Sequence, residues 1–181
     1  MKNFPELHTG RLLLRGFSLA DKEEVLQLAG AREIAAKTLS IPHPLKPEDA
    51  EQWIRDKQDN FKQMKEIAWA ICNRSDGLLL GAVGMSLNKK NDSGELGFWM
   101  GKPYWGNGFT TEAAGEVLDY TFGKLKLNRV EAHHMTGNNA SGRVLEKLGM
   151  QYEGLHRQRI KKWDEYKDVK CFAVLRSDYL G

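Results

Sequence analysis

Cysteine is scarce in this chain, with only Cys72 and Cys171 among 181 residues. They lie far apart in apolar, strand-like runs, and no CxxC pair occurs. Neither a disulfide framework nor a metal site is expected, and the usage suits a reducing cytoplasm. A large excess of one charge is also missing. Lys and Arg number 27 against 24 Asp and Glu, a balance of +3, which speaks against a dedicated non-specific nucleic-acid binder. No apolar run reaches the ~18 residues of a membrane span. The opening Met1–Glu6 has no apolar stretch, so no secretory signal is expected. Repeats, low-complexity tracts and linkers are absent. What remains is 41% hydrophobic and 28% charged, ordinary for a folded domain and too apolar for a disordered one. The length fits a single domain over 1–181 with a core that needs no cross-links.

Periodicity gives an outline. Arg11–Arg15 reads as a strand. Ser18 reads as the N-cap of a helix with Asp21, Glu23 and Glu24 in its first turn. The proline-rich Ile41–Pro47 cannot be helical, and Pro47 opens a helix running to about Lys65. Ile67–Cys72, Leu78–Leu87 and Glu95–Met100 read as an antiparallel meander. A helix over Thr110–Lys124 leads to a strand at Arg129–Met135, a crossover expected to be parallel and right-handed. A short helix, Asn139–Leu148, stops at Gly149, and Met150–Trp163 and Tyr166–Leu175 close the chain as two strands. The fold class is therefore α/β (α+β): a mixed, mostly antiparallel seven-stranded sheet with helices on both faces.

Glycine is the one mild excess, and it is clustered: ten of the 18 lie between Gly77 and Gly123. The densest chemistry is in Lys102-Pro103-Tyr104-Trp105-Gly106-Asn107-Gly108-Phe109-Thr110-Thr111-Glu112-Ala113, which follows a strand and opens a helix. Gly106 and Gly108 allow a tight turn and close ligand approach. The free N–H groups of the helix start suit an anion such as pyrophosphate. It is not a P-loop, because no Lys-Ser/Thr pair follows. It is a poor dinucleotide fingerprint, because Thr111 stands where a third glycine would be. A loop that only turns a corner is the plain alternative.

The order of motifs resembles the GNAT acyltransferase superfamily, and within it the ribosomal-protein N-acetyltransferase-like (RimJ/RimL-type) branch. The resemblance runs from Thr9-Gly10-Arg11-Leu12-Leu13-Leu14-Arg15 through Gly81-Ala82-Val83-Gly84, Glu95-Leu96-Gly97-Phe98-Trp99 and the glycine loop. It continues through Leu127-Asn128-Arg129-Val130 and Asn138–Met150 to Glu153-Gly154. It implies acetyl-CoA as cofactor. The amides of Trp105, Gly106, Asn107, Gly108, Phe109, Thr110 and Thr111 would hold the pyrophosphate. Backbone near Phe98, Trp99 and Met100 would bind the pantetheine arm where two parallel strands splay apart. Pro103 departs from the wider family's Gln or Arg three residues before the first glycine, a contact of little weight in a backbone-dominated site. The resemblance also places Asn138 at the CoA arm and Ser141 near the thioester sulfur, where its hydroxyl could protonate the departing thiolate. From the residues alone, ordinary capping is the stronger reading of both. Arg143 is a candidate phosphate contact.

Transfer to nitrogen needs a neutral amine. At pH 7 roughly 10–15% of an α-amine is neutral, against about 0.04% of a lysine, so a base is useful. Direct attack then needs no protein nucleophile, and no triad motif is present. Glu95, acting through water, is the first base candidate. His133 and His134 point to opposite faces of their strand, and His134 is taken with Glu95 and Ser141 as the catalytic set. Glu112 reads as serving the helix dipole, and His43 as a loop residue. Arg157, Arg159, Lys161 and Lys162 form a basic strand edge that is either solvated or attracts acidic groups. The expected partner is an amine acceptor, a protein N-terminus or a small amine. No DNA, membrane or metal is expected, and RNA or ribosome contact and a homodimer are left open. A non-catalytic acyl-CoA sensor is the rival reading.

Overall fold

The computed structural model describes residues 3–181. Eight strands form one sheet in the order β1-β2-β3-β4-β5-β6-β8-β7. They are β1 Leu7–His8, β2 Leu12–Gly16, β3 Glu66–Asn73, β4 Leu79–Asn88, β5 Ser93–Met100, β6 Arg129–Met135, β7 Gln151–Lys162 and β8 Glu165–Leu175. The helices are α1 Lys22–Ala29, α2 Arg32–Ala35, α3 Pro47–Lys62, α4 Phe109–Tyr120, α5 Asn139–Lys147 and α6 Arg176–Leu180. The sheet has one strand more than the sequence outline. That strand is the two-residue β1, too short to show a period, paired to β2 as Leu7↔Leu14 and His8↔Leu13.

Two hydrophobic layers cover the sheet. One face carries Leu14, Trp69, Leu96, Val130 and Phe172 against Val117, Leu118 and Phe122 from α4 and the turn after it, and Leu145 from α5. The other carries Ala70, Cys72, Ala82 and Trp99 against Val25, Ile34 and Ile54 from α1–α3. β3 lies under both layers, so Ile67–Cys72 is buried throughout and reads as an unbroken apolar run, as doubly covered strands do.

Local chemistry sets the helix ends. A 3-10 turn, Leu19–Asp21, precedes α1, so the α-helix begins four residues after Ser18. There the Ser18 N–H donates to Asp21 Oδ2 at 2.7 Å, and the Arg15 guanidinium grips the same carboxylate with bonds of 2.9 and 2.7 Å. The expected helix Thr110–Lys124 divides into α4 and a π-turn, Thr121–Leu125. The four-residue α2 and five-residue α6 were not foreseen, being too short for a helical stripe.

The sheet has one parallel pair, β5 with β6, running only from Ser93↔Arg129 to Leu96↔Ala132. β5 continues to Met100 with β4 on its other side. β6 continues to Met135 with β8 on its other side. Past Leu96 the two neighbours are no longer bonded to each other, which is the expected splay.

Candidate active site

A cavity of about 430 Å³ opens where β5 and β6 part. Its wall is built from four segments: Phe98–Met100 from β5, the glycine loop with the first turn of α4, the first turns of α5, and Ile34, Lys37 and Thr38 from α2 and the residues after it. Gly106 and Gly108 have φ of +80° and +78°, a left-handed region that costs a side-chain-bearing residue roughly 1–2 kcal/mol. That turn lets Gly108 cap α4. The first N–H groups of α4 have no intrahelical partner, and Phe109, Thr110 and Thr111 line the cavity.

The loop is held from outside the cavity by Arg11, beyond β1. Its Nη1 donates to Asn107 O at 3.1 Å and its Nε to Glu112 Oε2 at 2.7 Å. Its guanidinium also lies 4.5 Å from the Phe109 ring centre. Thr9 Oγ1 donates to Glu112 Oε1 at 2.5 Å. Burial alone would raise the Glu112 carboxyl pKa, but the Thr9 and Arg11 bonds outweigh it and hold the group below the usual range. Glu112 is thus an anchor between the chain start and the loop rather than only a dipole partner.

Of the sequence-predicted cofactor residues, Phe98, Trp99, Met100, Trp105, Gly106, Gly108, Phe109, Thr110, Thr111, Asn138, Ser141 and Arg143 all line the cavity. Asn107 is outside the wall. Its amide donates to Tyr104 O and Trp105 O at 3.1 and 3.2 Å and shapes the loop from within. Asn138 Oδ1 accepts from the Ser141 N–H at 3.4 Å, so it caps α5 while lining the cavity. Ala140, Arg143, Val144 and Lys147 form one stripe of α5 along the wall, at i, i+3, i+4 and i+7. Lys147 was legible from that spacing once Arg143 was suspected. Lys37, which follows α2, had no local signal. Its Nζ sits 4.5 Å from the ring centre of Trp105, and both residues line the cavity. The charged lining residues are Lys37, Arg143 and Lys147, with no carboxylate among them.

The three candidate bases separate. Glu95 and His133 share one face beside the point where β5–β6 pairing ends, and the His133 Nδ1–H donates to Glu95 Oε1 at 3.1 Å. The carboxylate only accepts, so Nδ1 carries the proton and Nε2 is left basic. Glu95 raises the His133 pKa by that bond, and His133 in turn lowers that of Glu95. His134 does not join them. It is buried at 5% exposure, stacked on Phe172, and its Nδ1–H donates to Met135 O at 2.9 Å. It lies beneath α5, where a Cβ added at Gly142 would come within 3.1 Å of its Nε2. None of Glu95, His133 and His134 is in the cavity wall itself. The basic edge is also divided: Arg157, Arg159 and Lys161 are exposed, but Lys162 is buried and donates to Ile41 O at 3.0 Å. No metal-ligating cluster and no helix long and apolar enough to cross a membrane occur among the described residues.

An interrupted parallel pair with a glycine-turned helix start and a basic wall beside it suits a long, phosphate-bearing ligand. Residues 11–151 match the model of the acetyltransferase (GNAT) domain. The Bacillus licheniformis protein p20, described as an uncharacterized N-acetyltransferase, is 30% identical over 176 residues, covering 97% of this chain and 98% of its own. The probable N-acetyltransferase YjcK of Bacillus subtilis is 34% identical over 127 residues, 69% of this chain and 70% of its own. The fold is shared with RimL, a ribosomal L7/L12 α-N-protein acetyltransferase solved with coenzyme A. That likeness has a TM-score of 0.88 at 14% identity over 94% of this chain and 98% of the other. The chain belongs to the GNAT acetyltransferase family, whose members are acyl-CoA-dependent N-acyltransferases using acetyl-CoA.

Proposed function

We propose that this protein moves the acetyl group of acetyl-CoA directly to a primary amine, in a ternary complex with no covalent enzyme intermediate. The observation that carries the reading is the opened β5–β6 pair leading to the Gly106–Gly108 turn. The cavity fits the donor: unpaired helix-start amides and the side chains of Lys37, Arg143 and Lys147 suit its phosphates. The free backbone of β5 past Leu96 suits an extended amide-bearing arm.

In this proposal the protonated acceptor nitrogen gives one proton to His133 Nε2, and Glu95 holds the ring in the tautomer that leaves Nε2 free. The neutral nitrogen then bonds to the thioester carbon, the carbon–sulfur bond breaks, and the nitrogen's surplus proton passes to solvent as the amide forms. Ser141 gives its hydroxyl proton to the departing sulfur and regains one from solvent. Glu95 is therefore a positioning residue rather than the direct base, and His134 packs α5. The acceptor is a small amine or a protein N-terminus, the latter being the substrate type of the RimJ/RimL-like branch in which we place the chain.

A panel of small amines and peptide N-termini, supplied with acetyl-CoA and followed by thiol release, tests the reading. Turnover with at least one acceptor is expected, and Ser141→Ala should lower kcat by about a hundredfold or more with the acetyl-CoA KM little changed. Failure of the protein to bind CoA at all would sink the proposal.

A further inference from the structure

A second cavity of about 220 Å³ lies on the α1–α3 face, between α1, the Ser40–Leu45 loop and α3. Its apolar walls include Val25, Ile41, Leu45 and Trp53, and Asp49 and Asp56 on α3 also line it. Trp99 lines both this cavity and the first. The two are opposite in charge. The first has three cationic side chains in its wall and no carboxylate. The second has two carboxylates and no cation. Lys57 stands 5.3 Å from the Trp53 ring centre but is already paired with Glu66 at 2.7 Å.

An independent observation falls on the shared wall. Trp99 is 8% exposed, and its indole Nε1–H is buried with no hydrogen-bond partner. A buried donor left unmade is expensive, and the lone pair of a neutral amine nitrogen can meet it whereas an ammonium cannot. Here it lies on the one side chain that both cavities use. Trp53 and Trp99 also meet edge-on with ring centres 6.5 Å apart, giving the cavity π surfaces of the kind that favour an organic cation.

We propose that this second cavity receives the tail of the acceptor, and that the acceptor is a small amine carrying a second, non-reacting cationic nitrogen. The second nitrogen lies against Asp49 and Asp56, and the methylene stem runs along Val25, Ile41, Leu45 and Trp53. The first, reacting nitrogen is thereby presented at the Trp99 side. The inference rests on the acetyl-transfer reading above and narrows its acceptor.

The test compares 1,5-diaminopentane with pentylamine, at one pH where both are protonated in solution. The diamine should have a kcat/KM higher by about tenfold or more. Asp56→Asn, which keeps an acceptor for Gln52, should remove most of that preference by lowering kcat/KM for the diamine far more than for pentylamine. Asp49→Asn, which keeps an acceptor for the helix cap, should act in the same direction. Equal rates for the two amines, or an equal loss for both in Asp56→Asn, would overturn the proposal. If no amine releases thiol, acetyl transfer itself fails, and the cavity is judged by quenching of tryptophan fluorescence on diamine titration. Saturable quenching weakened in Asp56→Asn supports the cavity. No quenching, or quenching indifferent to the variant, refutes it.

Discussion

Replacing Arg11 by Ala should weaken acetyl-CoA binding far more than it weakens the fold. The Arg11 side chain is 52% exposed and its partner Glu112 22%, so solvent screens the pair. A surface ion pair of this kind contributes about 0–1 kcal/mol. For a chain of this length that lowers Tm by no more than about 2–4 °C. The same side chain, however, holds the Asn107 carbonyl in the loop whose amides are proposed to meet the donor. Without it the loop samples arrangements in which those amides diverge, and the donor must then order them on binding. A loss of about 1 kcal/mol of preorganisation is roughly fivefold in Kd. Calorimetric titration with CoA and the acetyl-CoA KM at saturating amine should both rise by about that factor, with kcat nearly unchanged. Arg11→Lys keeps a charge near Glu112 but loses the planar fork, so it should fall between. A normal acetyl-CoA KM in Arg11→Ala, or a fall in kcat with KM untouched, would refute the clamp.

Two further outcomes follow from the base region and the packing of α5. His133 must be neutral to accept a proton, so the rate rises as pH passes upward through its pKa. The Glu95 bond sets that pKa above the ordinary ~6.5. Glu95→Gln should move this limb of the kcat profile to lower pH, measured with a single amine. An unmoved limb argues against His133, and complete loss of turnover would make Glu95 itself the base. Gly142→Ala places a methyl group 3.1 Å from His134 Nε2, a ring fixed by Phe172 and Met135 O. Overpacking by about 1–3 kcal/mol exceeds the ~1 kcal/mol that Ala returns in helix propensity, so urea unfolding should show a net loss. Unchanged stability would mean that the ring yields.

The wall of the larger cavity was legible because its signals are local. Gly106 and Gly108 stand next to the helix they cap, and Asn138, Ser141 and Arg143 fall within two turns of one helix. Long-range partners were not. Nothing near Lys37 marks it as facing Trp105, and nothing near Glu112 marks Arg11, about a hundred residues earlier, as its partner. The two histidines show the limit of a period-two pattern. Alternation says that His133 and His134 face opposite ways, but it does not say which face is the core. That depends on register with a distant strand, where His133 lies opposite Cys171 and His134 opposite Lys170, and on α5 covering one face. β1 and α2 escaped for a simpler reason: two and four residues are too few to carry a period.

The short β5–β6 ladder has a mechanical consequence. It spans half the register of the neighbouring β4–β5 pairing, so the sheet is two stiff leaves, β1–β5 and β6–β8, joined by a seam that is open for part of its length. A ligand lodged in the gap is a cross-brace between the leaves. Its binding energy adds to the resistance against their parting as RT ln(1 + [L]/Kd), about 2.7 kcal/mol at a hundredfold excess over Kd. With the donor bound there as proposed, thermal strength in this fold is partly a property of the donor supply, and slow amide exchange along Gly97–Met100 would report how firmly the leaves are braced at any moment.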